Sequence, residues 1–124
     1  ESKGAYVLCR TSNKTSSYVQ EEIFSKVISL CNELNTKKNI GLVVGATNEQ
    51  ALQAVRSKSN LPFLIPGIGA QGGDLKSVMN INSNHMNSSL INISRGIIFA
   101  DSKDYSSVRA SAKNYLNQMR DING

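Results

Sequence analysis

The sequence predicts an α/β protein built on a parallel β-sheet. Short apolar runs alternate with longer amphipathic stretches four times along the chain. Strands that are apolar throughout are typical of parallel sheets, because helices cover both faces of such a sheet. Residues 1–124 are interpreted as one domain, since no linker or low-complexity block interrupts this alternation.

Four apolar runs are predicted as the strands. They span residues 5–9, 40–46, 61–65 and 90–93. Each run is short and ends in polar or glycine-rich sequence, which favours a buried strand that continues into a loop. Pro62 fits only near the start of the third strand, because proline cannot donate a hydrogen bond to a neighbouring strand.

The amphipathic stretches are predicted as helices. They span residues 18–34, 49–57, 75–79 and 105–119. Apolar residues recur in them at helical spacing, and residues able to cap a helix precede the first three. These caps are Ser16 or Ser17, Thr47 or Asn48, and Asp74. The polar segment 80–89 is predicted to be a mobile loop, and residues 97 and 98 to form a short helical turn.

Four β/α units are compatible with two architectures. They form either a small open sheet or half of an eight-stranded barrel, and the length matches half of a typical barrel of about 250 residues. The pattern alone does not separate the two. In both architectures ligands bind at the C-terminal ends of the strands, so the loops that follow the strands are the candidate sites.

Composition and charge argue against several classes of function. The net charge is +5, but lysines and arginines are scattered and aromatic residues make up only 6%, so we expect no nucleic-acid partner. No apolar run is long enough to cross a membrane, and no signal-peptide pattern is visible, so we expect a cytoplasmic protein without a membrane partner. Cys9 and Cys31 are predicted to be buried free thiols.

The loops after the third and fourth strands carry groups suited to phosphate. Residues 66–74 contain four glycines, which let backbone N–H groups turn towards an anion, and Gln71 adds a neutral donor. The fourth strand ends in Ser94-Arg95-Gly96, where the arginine can donate two hydrogen bonds to one phosphate. The last two loops of a barrel commonly form a phosphate site, so their combination favours phosphate over a surface ion pair for Arg95.

The first loop offers groups suited to a heterocycle. Residues 10–13 (RTSN) provide hydroxyl and amide groups that can pair with ring donors and acceptors, although such residues are also common in turns. His85 lies in a polar stretch and is expected to be exposed. No Ser-His-Asp, Cys-His or metal-binding cluster can be assembled from the sequence, so we expect no metal.

Four motifs in order resemble the C-terminal half of the orotidine 5′-monophosphate decarboxylases. They are residues 9–13 (CRTSN), 41–47 (GLVVGAT), 63–74 (FLIPGIGAQGGD) and 91–98 (INISRGII). The resemblance covers nearly the whole chain, in the branch with the longer glycine loop. It implies a (β/α)8 TIM barrel of which this chain supplies the last four β/α units, strands five to eight. It also implies conversion of orotidine monophosphate to uridine monophosphate and CO2 without a cofactor.

The resemblance implies substrate contacts for seven residues. They are Thr11, Ser12, Pro66, Gln71, Ser94, Arg95 and Gly96. Arg95 corresponds to the arginine that binds the 5′-phosphate, with the backbone of its two neighbours beside it. Gln71 corresponds to the glutamine that bridges phosphate and pyrimidine, and Ser12, next to Thr11, contacts the pyrimidine amide. Pro66 lies at the base of the closing loop.

The catalytic residues of this family are absent from the sequence. The proton-donating lysine and its paired aspartates lie in an Asp-x-Lys-x-x-Asp motif in the first half of the barrel. Residues 101–104 (DSKD) look similar, but their spacing differs and they follow the last strand. Lys14 stands where this branch often has proline, which affects only the local turn. We therefore expect the chain alone to be inactive, with no catalytic residue of its own.

The expected partners follow from the same resemblance. The resemblance implies the N-terminal half of the barrel and a second copy in a homodimer. In addition, an open half barrel would expose sheet edges and apolar strand faces, so we expect that this chain is not a stable monomer. Two other functions stay open, namely another sugar-phosphate-binding barrel enzyme and a non-catalytic nucleotide-binding half barrel. The first loop and Gln71 argue against a sugar phosphate, which has no pyrimidine edge to contact.

Overall fold

The computed structural model describes residues 3–13, 17–101 and 104–123. Its strands are β1 (Ala5–Arg10), β2 (Ile40–Val44), β3 (Phe63–Pro66) and β4 (Leu90–Asn92). Its α-helices are α1 (Ser17–Leu34), α2 (Glu49–Arg56), α3 (Leu75–Ile81), α4 (Arg95–Ile98) and α5 (Tyr105–Asn123), and a 3-10 helix (Ser83–Ser88) follows α3. The strands pair in parallel in the order β1-β2-β3-β4, so the predicted α/β class with a parallel sheet is confirmed.

Helix capping follows the sequence prediction where the structure describes it. The side chain of Asn48 accepts a hydrogen bond from the backbone N–H of Ala51 at 2.9 Å, at the start of α2. Asp74 accepts one from the N–H of Ser77 at 2.7 Å, at the start of α3. Each cap satisfies a backbone donor that the helix itself cannot pair. Helix α1 begins at Ser17, and the alternative cap Ser16 lies outside the described residues, as does Lys14.

Several predicted element boundaries differ from the structure: β2 ends at Val44, two residues earlier than predicted, and α5 continues to Asn123, four residues later. Strand β3 begins at Phe63, two residues later than predicted; its neighbour Pro62 contributes only a carbonyl, which accepts from the N–H of Leu42 at 2.8 Å. Segment 80–89 was predicted as a mobile loop, but it contains the end of α3 and the 3-10 helix. Asn82 anchors this segment, because it is completely buried and donates to the carbonyl of Val78 at 2.8 Å. His85 is half-buried in the 3-10 helix, not exposed.

The core lies between the sheet and the helices. Its fully buried apolar side chains come from β2, α2, β3 and α3: Leu42, Val44, Leu52, Val55, Phe63, Ile65, Val78 and Met79. Helix α1 adds Phe24, Ile28 and Cys31. Both cysteines are buried and free, as predicted, and burial raises the pKa of Cys9 to about 11. The Cys9 thiol is therefore protonated at neutral pH.

A buried arginine joins three segments at the N-terminal ends of β3 and β4. The Arg56 guanidinium donates to the side-chain oxygen of Asn82 at 3.0 Å, and to the carbonyls of Ser59 and Leu61 at 3.1 Å each. It also stacks 3.4 Å from the ring centroid of Phe63. Burial lowers the pKa of Arg56 to about 10, so the group remains charged at neutral pH.

Apolar surface remains uncovered at both edges of the sheet. The first four residues of β1 are exposed, Leu8 to 56%, and Leu90 on β4 is 55% exposed. Helix α1 presents a second apolar stripe, Ile23, Leu30 and Leu34, away from the core. Strands of a parallel sheet are normally covered on both faces, so this exposed apolar surface is unusual for such a sheet. In the described part of the chain, no helix combines the length and the apolar character that a membrane span requires.

Candidate functional site

A polar cleft of about 940 Å³ opens where β1 and β2 end. Its lining comes from the first loop, the start of α2 and the glycine loop (residues 67–73): Arg10, Thr11, Ser12, Asn13, Thr47, Asn48, Glu49, Gln50, Gln53, Gln71 and Gly72. Hydroxyl and amide groups dominate this set. Such groups can both donate and accept, which suits a ring that carries both kinds of partner.

A second, small cavity of about 30 Å³ lies where β3 and β4 end. One wall is the glycine loop and the other is the end of β4 with the turn that follows it. The lining residues are Gly67, Ile68, Ala70, Gln71, Asn92, Ser94 and Arg95. Arg95 is exposed, and the Ser94 hydroxyl donates to the Asn92 side chain at 2.8 Å. The cavity therefore brings a guanidinium next to a loop rich in backbone N–H groups.

The glycine loop has a defined shape. Gly67, Gly69 and Gly72 have φ angles of 109°, 72° and 89°, a region that L side chains rarely adopt. The loop closes on itself, with the N–H of Gly72 donating to the carbonyl of Gly69 at 2.7 Å and that of Gly73 to Gly67 at 3.0 Å. These glycines therefore provide the backbone conformation that this turn requires.

The Asp74 cap after this loop is expected to stabilise the fold. Replacing Asp74 by Ala should lower the free energy of unfolding by about 1 kcal/mol, because the N–H of Ser77 loses its acceptor. The hydrogen bond from that N–H lowers the pKa of Asp74 below its usual value. The contribution is therefore present above the pKa of the unfolded chain and is lost as pH falls through the lower pKa of the folded state.

Urea unfolding of the intact protein as a function of pH measures this effect. Asp74→Asn is the matched control, because asparagine caps a helix about as well as aspartate but does not titrate. The control should keep the stability at neutral pH and lose this part of its pH dependence. Equal losses in the Ala and Asn variants would contradict the capping role.

Gln71 connects the cleft and the small cavity. It lines both, and its side-chain oxygen accepts a hydrogen bond from the Ser12 hydroxyl at 2.7 Å. Thr47 in turn donates to the backbone carbonyl of Ser12 at 2.5 Å, and the N–H of Thr11 donates to Gln20 at 2.8 Å. The first loop is thus fixed from two sides while its Ser12 hydroxyl faces the glycine loop.

The structure brings together five of the seven predicted contact residues around these two cavities. Thr11, Ser12 and Gln71 line the cleft, and Gln71, Ser94 and Arg95 line the small cavity. The other two lie beside the cavities. Pro66 ends β3 directly before the glycine loop, where its carbonyl accepts from the N–H of Ala46 at 2.8 Å. Gly96 borders a separate groove between α4 and α5.

Sequence reasoning missed lining residues in α2, in the loop before it and at the end of β4. Thr47, Asn48, Gln50 and Gln53 face the cleft, although the sequence suggested only a capping role for the first two. Their position after β2 could have indicated this, because that loop lies at the same edge of the sheet as the loops after β1, β3 and β4. The sequence predicted only a strand position for Asn92, yet Asn92 lines the small cavity.

Metal ligation has no candidate site in the parts of the chain that the structure describes. No group of three or more His, Cys, Asp and Glu side chains there could hold a metal ion.

Comparison with known proteins identifies the family. Residues 1–110 match the model of the orotidine 5′-phosphate decarboxylase / HUMPS family. The chain belongs to this family. It is 43% identical to an orotidine 5′-phosphate decarboxylase from Natronomonas pharaonis, over 79% of this chain and 39% of that protein. It is 41% identical to one from Dehalococcoides mccartyi, over 98% of this chain and 48% of that protein.

Solved structures agree with this assignment. Leishmania donovani UMP synthase matches with a TM-score of 0.85 at 37% identity, over 98% of this chain and 28% of that chain. Leishmania donovani OMP decarboxylase matches with a TM-score of 0.81 at 33% identity, over 98% of this chain and 48% of that chain. This chain therefore spans half or less of the length of the relatives that it matches.

Proposed function

We propose that this chain forms β/α units five to eight of a (β/α)8 TIM barrel that decarboxylates orotidine monophosphate. The products are uridine monophosphate and CO2, and no cofactor takes part. The observation that carries the proposal is the position of Gln71, which lines both cavities and contacts Ser12. A nucleotide is a ligand with a ring at one end and a phosphate at the other, and it requires two such sites joined together.

The small cavity is the proposed phosphate site. Arg95 supplies a guanidinium whose planar donors match phosphate oxygens, and the glycine loop supplies backbone N–H groups. The backbone of the turn around Arg95 contributes further donors. Because the volume of the cavity is only about 30 Å³, the glycine loop would have to move outward to admit phosphate and could then close over it.

The cleft is the proposed pyrimidine site. The Ser12 hydroxyl and its neighbour Thr11 face the ring amide, and Pro66 lies at the base of the glycine loop. With the Gln71 oxygen accepting from Ser12, the amide nitrogen of Gln71 can donate to a phosphate oxygen. Closure of the loop on phosphate would thereby tighten the contact to the ring.

The chemical step is assigned to the other half of the barrel. The sequence has no Asp-x-Lys-x-x-Asp motif, so this chain contributes binding energy and not the proton donor. Binding energy at a remote phosphate can still accelerate the reaction, provided that it is used to close the site around the transition state. The homodimer remains a prediction from the family resemblance.

Uncovered apolar surface supports a partner half. Val7 and Leu8 on the edge strand β1, and Leu90 on the opposite edge strand β4, are all exposed. An eight-stranded barrel would pair both edges with further strands, and helices of the other half would cover the stripe on α1.

The test is decarboxylation of orotidine monophosphate by the intact protein that contains this chain, followed by ultraviolet absorbance. We expect activity without added metal, and no activity from the chain expressed alone. Calorimetric titration with uridine monophosphate and ribose 5-phosphate should show tighter binding of the nucleotide. A folded intact protein that neither decarboxylates the substrate nor binds the nucleotide would refute the proposal. Tighter binding of the sugar phosphate would favour a different barrel enzyme.

A further inference from the structure

A tyrosine on α5 touches two loops of the proposed phosphate site at once. A Cβ atom added at Gly69 would lie 2.9 Å from the Tyr115 hydroxyl oxygen, and one added at Gly96 would lie 2.7 Å from it. Real Cβ atoms essentially never approach a heavy atom so closely. The hydroxyl therefore rests against the backbone of both residues, one in the glycine loop and the other directly after Arg95.

These two loops are the opposite walls of the small cavity. Gly69 stands between Ile68 and Ala70, which both line it, and Gly96 follows Arg95. Tyr115 is half-buried and packs against the core, so its position is set by the fold and not by a ligand. The Tyr115 hydroxyl thus lies between the glycine loop and the turn after Arg95 and limits how closely they approach each other.

Helix α5 holds the Arg95 turn at a second point. The Ser111 hydroxyl, one helical turn before Tyr115, donates to the carbonyl of Gly96 at 2.7 Å. Residues four apart lie on the same face of a helix, so one face of α5 contacts this turn twice. Gly69, by comparison, has a φ angle of 72°, and both its conformation and the tyrosine exclude a larger residue.

The distance between the two walls decides how well phosphate is held. Charge-assisted hydrogen bonds to phosphate are best at about 2.7–2.9 Å, and both walls must supply donors to the same group. A shift of a few tenths of an ångström in one wall lengthens its bonds while the other wall stays in place.

We propose that Tyr115 is a positioning residue that sets the spacing between the glycine loop and the Arg95 turn, and thereby tunes affinity for the phosphate of the nucleotide. The inference rests on the proposed function, because it takes the small cavity as the phosphate site. Tyr115 acts through the two loops and need not touch the substrate. Its substitution should therefore change recognition of phosphate while leaving recognition of the nucleoside intact.

The experiment compares binding of uridine monophosphate and uridine by calorimetry on the intact protein. Tyr115→Phe removes only the hydroxyl and should weaken nucleotide binding roughly 5- to 10-fold, because misplacement of binding groups by about 1 Å can cost 100-fold. Uridine binding should stay within about twofold, and KM for orotidine monophosphate should rise in step with the nucleotide Kd. Tyr105→Phe is the matched control, since Tyr105 lies on the same helix and is 80% exposed.

A pair of variants tests the contact directly. Gly96→Ala should weaken nucleotide binding roughly 10-fold, because the new methyl group displaces the turn from the hydroxyl. Without that hydroxyl the nearest atoms lie at 3.3 and 3.4 Å, in Ile93 and the Tyr115 ring, which a small shift can accommodate. Gly96→Ala should consequently add little loss in a Tyr115→Phe background, a non-additivity expected of residues that are in contact or otherwise coupled.

Three results with the variants would overturn the proposal. Unchanged nucleotide affinity in Tyr115→Phe, or equal losses for nucleotide and nucleoside, would each remove the positioning role. Additive losses in the double variant would place the effect of Gly96→Ala elsewhere. If the unsubstituted protein does not bind uridine monophosphate, the proposed function fails and this proposal fails with it. If it does bind and Tyr115→Phe matches Tyr105→Phe, only the positioning role fails.

Discussion

Replacing Arg95 by Ala should weaken binding of uridine monophosphate by roughly 30- to 150-fold. Arg95 is the guanidinium in the wall of the small cavity, and hydrogen bonds to a charged group contribute about 2 to 3 kcal/mol. Uridine affinity should be nearly unchanged, because the proposed site for the ring is the cleft and not the small cavity. Calorimetric titration of the intact protein with both ligands separates the two effects.

Arg109→Ala provides the control for charge. Arg109 is exposed on α5, and its loss lowers the net charge by the same amount as the loss of Arg95. Long-range attraction of an anion is screened by salt, so at physiological ionic strength the control should bind the nucleotide nearly as well as the unsubstituted protein. Similar losses in both variants would show that Arg95 acts only through net charge. An unchanged Arg95→Ala would place the phosphate elsewhere.

Local sequence signals predicted much of this fold. The four strands and the longer helices could be predicted because their apolar period involves only residues within the element, as in α2, where Leu52 and Val55 are completely buried. Caps are local too, so Asn48 and Asp74 could be assigned from a few neighbouring residues. The contact residues required more, namely the rule that sites follow strand ends and a resemblance that supplied individual roles.

Features that depend on distant contacts could not be predicted. Segment 80–89 contains few apolar residues and was predicted to be mobile, but Asn82 is fixed by Arg56, far away in the sequence. Helix α1 carries two stripes of apolar residues, and the sequence does not show which stripe is buried. In the structure Phe24 and Ile28 face the core, while Leu30 is exposed. The contact between Gly96 and the Tyr115 hydroxyl could not be predicted either, because Tyr115 lies on α5, far along the chain from the loop.

Replacing Arg56 by Met should lower the free energy of unfolding by about 3 kcal/mol. Methionine can keep the contact with Phe63, but the carbonyls of Ser59 and Leu61 and the side chain of Asn82 lose a charged donor. Each buried acceptor left without a partner costs about 1 to 3 kcal/mol, and release of the buried charge offsets part of the sum. Urea unfolding of the intact protein measures the loss.

Two further variants and one binding measurement decide what Arg56 does. Arg56→Lys keeps the charge but not the planar group that stacks on Phe63, so its loss should be intermediate. Lys58→Met removes an exposed lysine that donates to Ser25 at 2.9 Å, and should cost less than about 1 kcal/mol.

Arg56 lies at the opposite ends of the strands from the two cavities, so Arg56→Met should bind uridine monophosphate normally while it remains folded. Arg95→Ala should show the reverse, weak binding with normal stability, because its side chain is exposed. Equal stability of Arg56→Met and Lys58→Met would mean that the buried arginine contributes no more than a surface cation.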